Sequence, residues 1–463
     1  MALAKNPDPA GSTTGQDCAQ SSGPRPRAAA SGRSIATLLA AAACACAGAQ
    51  ETPLGFSIGP ELLVTHDSNF YRSSGTELVA VPGSAQVVAV GVPVTGVTSE
   101  SADLVGTLHE VYGRETLTAS ADVGRVHFQQ DNQFDYTSEK LRADLASDLP
   151  YGSLFKAGFG RTAQLAHFAD IGNSLRDVID TNEVDATLAV PVLPNTQDWQ
   201  AMLTGTDART TNSSGPYQTL DLNDEEVDGG IRYQPSSGNH VDLLFRDGYG
   251  VYPNGSPSLF ISPSYRDLGA DLRIELALTG ASHLSGRAGY LERRNDNLVL
   301  NGYLATSALE RGRTRVKEGV DIDRDFSGPG FELTYVWQVT GAAALTAYGL
   351  RDLGSAGDNN YLSAVSHIYR FSPSYQPEEK IRVEMYYEWS ERNYFGNYAA
   401  LTQSAPGTTR LDTGRNAGLM LRWTPRRWLQ FTLDLRRESR DSNILAWSYV
   451  DDTATFSALA TIY

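Results

Sequence analysis

Seven histidines are the residues of this chain that could act as general bases or metal ligands, and they are scattered along it. They are His66, His109, His127, His167, His240, His283 and His367. An esterase or deacylase needs a nucleophile and a base that meet, and the chain carries no serine motif of the nucleophile-elbow type and no pair of histidines at metal-ligand spacing. We therefore predict that the protein is not an enzyme and has no cofactor.

One group of carboxylates imitates a calcium-binding loop. Asp321, Asp323 and Asp325, with Glu332 at the twelfth position, have the spacing of such a loop. The sixth position requires glycine for its sharp turn and is Phe326 here. The sequence therefore predicts no metal site.

Charged residues instead recur at every second position, as in the stretch WLQFTLDLRRESRD from Trp428 to Asp441. Leu429, Phe431, Leu433 and Leu435 share one parity, and successive side chains of a strand point to opposite faces. The opposite face is long and carries both signs of charge. A strand with one lipid face and one water face is typical of a transmembrane barrel.

The inward charges offer a polar track along which a hydrated, hydroxyl-rich chain could exchange hydrogen bonds without one deep well. The same residues could instead form ion pairs that only rigidify the wall. The candidates for a polysaccharide path are Arg273, Glu275, Arg382, Glu384, Tyr386, Glu388, Arg422, Asp434, Arg436, Glu438 and Arg440. The same inward parity also contains Arg142, Arg232, Arg246, Arg287, Asp144, Asp228, Asp271 and Glu332. Tyr386 could add stacking on a sugar ring, whereas Tyr290 falls in the lipid parity.

The connections between these strands alternate between short turns and long polar loops. The short ones lie at 113–114, 150–152, 194–197, 235–239, 279–281, 340–342, 377–379 and 425–427, where Gly and Pro supply turn conformations. Short turns on one side and long loops on the other are typical of outer-membrane barrels. We predict an all-β, antiparallel transmembrane barrel of about 18 strands, with 16 as the alternative. Residues 73–100 and 298–323 are predicted to be long loops.

The start of the chain predicts export. Arg25, Arg27 and Arg33 precede the apolar run 35–47, and Ala47-Gly48-Ala49 is a small-residue cleavage site. Residues 1–49 are therefore interpreted as a signal peptide and leader, and residues 50–463 as the barrel. All three cysteines lie in the leader, so the mature chain is predicted to have no disulfide. The formal net charge of −16 argues against nucleic acid as a partner.

Several segments together resemble a known group. They are Asp67-Ser68-Asn69-Phe70-Tyr71-Arg72, the stretches from Tyr112 (YGRETLTASADVGRVHF) and Leu278 (LTGASHLSGRAGYLERR), residues 325–329 and 351–354, and RRESRDSN from Arg436. In order and spacing they resemble the exopolysaccharide biosynthesis operon protein EpsL family, outer-membrane barrels of the beta-barrel porin 2 type. The resemblance implies a barrel in the bacterial outer membrane that assists polysaccharide export or assembly. Its implied partners are outer-membrane lipids, the polysaccharide, and export components of the periplasm and inner membrane. The alternative function is a nonspecific diffusion porin or an oligosaccharide uptake channel.

Overall fold

A computed structural model describes residues 55–80, 87–91, 94–168, 175–193, 196–235, 239–255, 264–295, 325–355, 361, 363–395 and 409–462. The predicted leader (1–49) and the predicted loop 298–323 lie outside these residues. No helix in the described ranges is long and apolar enough to cross a membrane.

Twenty strands make up nearly all of the described chain. They are β1 (Phe56–Asp67), β2 (Thr76–Ala80), β3 (Val87–Gly91), β4 (Val97–Tyr112), β5 (Glu115–Phe128), β6 (Tyr136–Asp148), β7 (Leu154–Leu165), β8 (Val178–Leu193), β9 (Thr196–Asn212), β10 (Leu222–Tyr233), β11 (His240–Val251), β12 (Tyr265–Thr279), β13 (Ser282–Asn295), β14 (Phe326–Gln338), β15 (Ala343–Ser355), β16 (Ser363–Glu378), β17 (Ile381–Phe395), β18 (Leu411–Arg426), β19 (Leu429–Ser442) and β20 (Tyr449–Ala460). Short 3-10 helices cover Asn132–Phe134, Pro150–Gly152, Gly215–Leu220 and Leu445–Trp447.

Eighteen of the strands form one closed antiparallel sheet. Each strand from β4 to β20 pairs with the next along the chain, and β1 pairs with both β20 and β4. Closure leaves no sheet edge, so every strand has a hydrogen-bonding neighbour on both sides. The predicted barrel and its count of 18 strands are confirmed.

The outer surface is apolar over a band that starts at the short turns. On β19, Leu433 and Leu435 are exposed and stand beside the exposed Leu421 and Phe456 of the neighbouring strands. Aromatic side chains lie near the turns, where Trp423 packs on Phe431 with 5.6 Å between ring centroids. Lipid solvates such a band, and aromatic girdles mark its borders. The chain is therefore an outer-membrane barrel.

Beyond this band, toward the long loops, the outward side chains become charged on nearly every strand. Along β19, eight residues separate Leu429 from Arg437, and twelve separate Leu278 from Arg266 on β12. At about 3.3 Å per residue and a tilt of about 40°, the apolar band is about 20–30 Å tall, which matches a bilayer. We call the outward-facing residues that follow it the charged belt. Its members are Glu100, Arg125, Glu139, Arg161, Asp207, Arg209, Glu225, Asp247, Arg266, Glu292, Arg294, Arg351, Glu391, Arg415, Arg437 and Asp452.

The segment 73–100, predicted as a loop, contains regular structure. Thr76–Ala80 pairs with Val87–Gly91 in a separate two-stranded sheet, and β4 already begins at Val97. β2 and β3 have five residues each, which is too short to show an amphipathic pattern. The Gly and Pro residues around them favoured the prediction of a loop. The rest of the segment links β1 to β4.

Candidate functional site

A ladder of carboxylates points into the lumen from β10. Asp224, Glu226 and Asp228 occupy alternate positions, while Val227 and Ile231 of the other parity are exposed to lipid. Three acids two residues apart stand on one face of a strand. Unless cations faced them, their mutual repulsion would destabilise the sheet. The neighbouring strands supply those cations.

Arg246 on β11 forms ion pairs with two carboxylates of the ladder, Glu226 and Asp228. Its Nη2 lies 3.0 Å from Glu226 and 3.1 Å from Asp271, and its Nε lies 3.3 Å from Asp228. Arg273 on β12 also forms an ion pair with Asp228. Two arginines therefore pair with Asp228, the residue of the ladder nearest the short turn after β10. Asp228 is only 2% exposed.

Farther toward the loops, Arg293 on β13 is fixed from two sides. Its Nε and Nη2 donate to the two oxygens of Asp267 at 2.8 and 2.6 Å. Its guanidinium carbon lies 3.5 Å from the ring centroid of Tyr265, a cation–π contact. Such a bidentate pair sets the geometry of both partners. The positions of the Arg293, Asp267 and Tyr265 side chains are therefore set by these contacts.

Arg142 on β6 forms an ion pair with a residue two strands away. Its Nη2 donates to Asp185 on β8 at 2.8 Å, passing over β7 at Gly158. A Cβ at position 158 would lie 2.3 Å from Arg142 Nη2 and 2.5 Å from Asp185 Oδ1. Glycine leaves room here for this ion pair, and a side chain at position 158 would have to displace the ends of both charged side chains.

These groups enclose a lumen cavity of about 560 Å³. Its lining includes eight carboxylates and six arginines. The carboxylates are Glu183, Asp185, Asp224, Glu226, Asp228, Asp267, Glu332 and Asp352, and the arginines are Arg142, Arg246, Arg273, Arg287, Arg293 and Arg392. The volume is that of a site for a small molecule, which is typically about 300–1,000 Å³. The slight excess of acids favours cations and polar neutral solutes over anions.

The opposite wall of the lumen is rich in hydroxyl groups. β1 lies nine strands from β12 in the closed order, so the two face each other. On β1, Ser57 lies 2.8 Å from Thr107 of β4, and Thr65 lies 3.0 Å from Thr455 of β20, measured between hydroxyl oxygens. Hydroxyls both donate and accept hydrogen bonds. This wall therefore adds hydroxyl groups to the lumen, beside inward carboxylates such as Glu61 and Asp103.

The residues predicted to line a polysaccharide path all have the inward parity, but they do not form one site. Arg273 lines the cavity of about 560 Å³ described above, and Glu275 lies 3.6 Å from His240. Glu388, Glu438 and Arg440 line a second, smaller cavity of about 180 Å³ between β16 and β20.

The other predicted candidates lie along β17 to β19. Arg382 pairs with Glu384, and Arg436 lies 3.8 Å from Asp434. Arg422 keeps its Nε without a hydrogen-bond partner among the described residues. The ring of Tyr386 lies over Gly418 and within 5.2 Å of the Arg370 guanidinium, with its hydroxyl 3.1 Å from Asn416. Tyr386 therefore packs against the wall.

The segment 67–72, one of those that carry the family resemblance, forms a clamp at the mouth. Arg72 Nη1 donates to Asp67 at 2.8 Å, and Nη2 lies 3.2 Å from Asp451 on β20. The backbone N–H of Asn69 donates to the same Asp451 carboxylate at 2.9 Å. Asp451 and Arg72 are both buried. The polar residues of this segment therefore join the end of β1 to β20, where the first and last strands of the barrel pair.

The aromatic half of this segment builds a cluster on the lumen side of the mouth. Phe70 packs on Phe128, Phe134 and Phe168, with ring centroids 5.1, 5.6 and 4.9 Å away. Phe128 has the inward parity of β5, and Phe134 is fully buried. Residues of three loops thus pack together at the loop end of β4 to β7.

Two ionisable groups beside this cluster have shifted pKa values. Burial raises the pKa of the Tyr71 phenol to about 12, and its hydrogen bond to Asp131 at 2.8 Å acts in the same direction. Burial also acts to raise the pKa of Asp135, but hydrogen bonds from the Phe128 N–H and from His127 outweigh it and lower that pKa. Tyr71 stays protonated and Asp135 stays ionised near neutral pH.

Sequence reasoning did not single out the β10 ladder, Arg293 or the aromatic cluster. The signal for the ladder was present, because Asp224, Glu226 and Asp228 alternate with apolar residues, but Glu225 interrupts the pattern. The aromatic cluster gave no such signal, since Phe70, Phe134 and Phe168 come from three separate loops and Phe128 from the end of β5. The cluster depends on how the loops fold, which no strand periodicity describes.

Comparison of the sequence with protein-family models and with curated proteins gives no match. Among solved structures, the outer membrane protein OpdK of Pseudomonas aeruginosa has a TM-score of 0.43 at 9% identity, covering 88% of this chain and 99% of that chain. A BenF-like porin of Pseudomonas fluorescens has a TM-score of 0.42 at 8% identity, covering 88% and 98%. OccAB4 of Acinetobacter baumannii has a TM-score of 0.40 at 11% identity, covering 89% and 99%. The class of protein, an outer-membrane β-barrel, rests on the strand pairing and the apolar band.

Proposed function

We propose that the protein is a passive channel for small hydrophilic solutes, with no catalytic activity of its own. The cavity of about 560 Å³ in the lumen is the observation that supports this proposal. A cavity of this volume can hold a solute the size of a short oligosaccharide. A solute inside it meets arginines and carboxylates, with the hydroxyls of Thr204, Thr206 and Ser366 among them.

The pairing of the lumen charges supports conduction over tight binding. Arg246 already contacts three carboxylates, and Arg293 is saturated by Asp267 and Tyr265. A solute can therefore exchange hydrogen bonds with the wall without displacing a complete ion pair. Shallow, repeated sites let a solute leave as easily as it enters.

Export of an exopolysaccharide, implied by the resemblance to the EpsL family, is the second candidate. The hydroxyl pairs Ser57–Thr107 and Thr65–Thr455 favour it, because a sugar polymer could exchange hydrogen bonds along them. The polymer and the export components of the periplasm and inner membrane would then be its partners.

Conductance of the purified barrel in planar bilayers tests the channel. We expect open channels with a mild preference for cations, and Asp224→Asn with Asp228→Asn should shift the reversal potential toward anions. The matched control, Asp207→Asn with Asp247→Asn, removes two outward carboxylates and should leave selectivity unchanged. A barrel that inserts without conducting would refute the channel. Loss of surface polysaccharide in a deletion strain, with unchanged solute uptake, would favour export instead.

A further inference from the structure

Two aspartates at the loop end of the barrel are buried without a cation beside them. Asp177 directly precedes β8 and is 0% exposed, and Asp221 directly precedes β10 and is 6% exposed. No arginine, lysine or histidine of the described chain forms an ion pair with either carboxylate. Other buried carboxylates of the barrel, such as Asp228 and Asp451, have arginine partners. Buried charges in proteins are normally paired or bound to a metal ion, so these two aspartates are exceptional.

Both carboxylates accept hydrogen bonds from the same short segment, at the end of β9. Asp221 Oδ1 accepts from the backbone N–H and the side-chain amide of Asn212, at 2.7 and 3.0 Å. Asp177 Oδ1 accepts from the backbone N–H of Ser214 at 2.9 Å and from the hydroxyl of Ser213 at 3.3 Å. Three consecutive residues therefore hold two negative charges near each other. We call Asp177 and Asp221 the buried acid pair.

One oxygen of the buried acid pair accepts no hydrogen bond. Asp177 Oδ2 is buried and has no hydrogen-bond partner among the described residues, whereas Asp221 Oδ2 accepts from the Asn254 amide at 2.8 Å. The adjacent Arg176 donates to the backbone oxygen of Asp135 instead, at 3.1 Å. Burial raises the pKa of Asp177, and the charge of Asp221 acts in the same direction. The carboxylate of Asp177 is therefore stabilised only if a proton or a cation neutralises it.

We propose that the buried acid pair is a calcium site, in which Asp177 Oδ2 binds Ca²⁺ directly and Asp221 adds a second negative charge. Among the described residues, no group of three or more His, Cys, Asp or Glu side chains could hold a metal ion, so the other ligands are neutral oxygens. Ca²⁺ accepts backbone carbonyls, side-chain amides and water in a flexible geometry, whereas Mg²⁺ requires a near-ideal octahedron. With only two carboxylates, we expect a dissociation constant of about 10⁻⁴–10⁻³ M, as in extracellular calcium modules.

Bound calcium would join three neighbouring long loops. Asp177 ends the loop between β7 and β8, Asp221 ends the loop between β9 and β10, and Asn254 lies in the loop between β11 and β12. Asp221 is also three residues before Asp224, which lines the cavity of about 560 Å³. Calcium would therefore fix the loop end of the wall beside this cavity. The inference depends on the fold of the loops, and it stands whether or not the lumen conducts.

Hydrogen exchange of the purified, folded barrel in detergent, followed by mass spectrometry, tests the proposal. In CaCl₂ at about 10 mM, at least about ten times the expected dissociation constant, peptides covering 212–222 should exchange about tenfold more slowly than in EGTA with NaCl at the same ionic strength. Asp177→Asn keeps the shape of the side chain and removes its charge, so it should abolish the calcium effect. The control, Asp207→Asn, removes an exposed carboxylate of β9 that pairs with Arg209, and it should respond to calcium like the parent.

Three results would overturn the proposal. The parent could exchange equally fast in calcium and in EGTA. Asp177→Asn could keep the full calcium effect, which would place the cation among the lumen carboxylates instead. Protection could rise in acid and ignore calcium, which would mean that a proton neutralises Asp177. Heat-modifiable migration in gels verifies that both variants are folded, so that a lost calcium effect reports the site.

Discussion

Leu433→Arg is the substitution that most directly tests which face of each strand meets lipid. Leu433 is the third of four outward apolar residues on β19, between Leu421 of β18 and Phe456 of β20 in the register. Its side chain is 38% exposed, so an arginine there has room to extend from the barrel surface. The main effect of the substitution is then the transfer of a guanidinium into hydrocarbon.

The magnitude follows from the position of Leu433 in the band. Four residues separate it from the turn at Leu429 and four from the belt at Arg437, so it lies near the bilayer midplane. Arginine at the midplane of a barrel costs about 2–4 kcal/mol. Thr455→Arg is the matched control, because Thr455 lies at the same height, faces the lumen, and is directly opposite Asp434. It should cost under about 1 kcal/mol, since the new charge meets water and a carboxylate.

The assay is reversible folding into phosphatidylcholine vesicles, with urea unfolding followed by tryptophan fluorescence. Parent, Leu433→Arg and Thr455→Arg should give the same slope with urea, so that the midpoints report the free energy of unfolding. Equal losses in the two variants would refute the assignment of faces. A larger loss for Thr455→Arg would reverse it.

Three other predictions test the topology and the mouth. On whole cells, a membrane-impermeant thiol reagent should label a cysteine at Ser213, in a long loop, and spare one at Gly280, in a short turn; the reverse pattern would invert the barrel. Arg72→Ala should destabilise the barrel by about 3–5 kcal/mol, because it leaves the buried Asp451 carboxylate unpaired, and a shift of the heat-modification temperature measures it. Asp135, whose pKa is lowered, contributes stability above its unfolded pKa that is lost as the pH falls through its folded pKa, so loop 129–135 should open in acid by hydrogen exchange, corrected for intrinsic rates. Asp135→Asn should abolish that pH dependence.

The barrel was predictable because its sequence repeats one simple rule. Alternation on strands such as β12 and β19 gave their faces, and the short turns gave the count of 18 strands. Both features are local, since side chains alternate along any strand and a two-residue turn fixes its own register. Tyr290 also falls on the lipid face as its parity predicts, with 55% of its surface exposed.

The partners inside the lumen were not predictable in the same way. Alternation says that Arg142 points inward, but not that it crosses β7 to reach Asp185, which depends on strand stagger and on Gly158. It also cannot say that the ring of Tyr386 lies over Gly418 instead of projecting into the lumen. Long side chains choose among several neighbours, and that choice is tertiary.

A single strand of this barrel encodes more than its two faces. Along β19 the inward set stays polar from Asp434 to Arg440, whereas the outward set changes from Leu435 to Arg437 within two residues. The inward set stays polar because it faces the polar lumen throughout. The outward set must change, because the hydrocarbon layer ends at a fixed height. The height of the membrane can therefore be read from the outward parity alone.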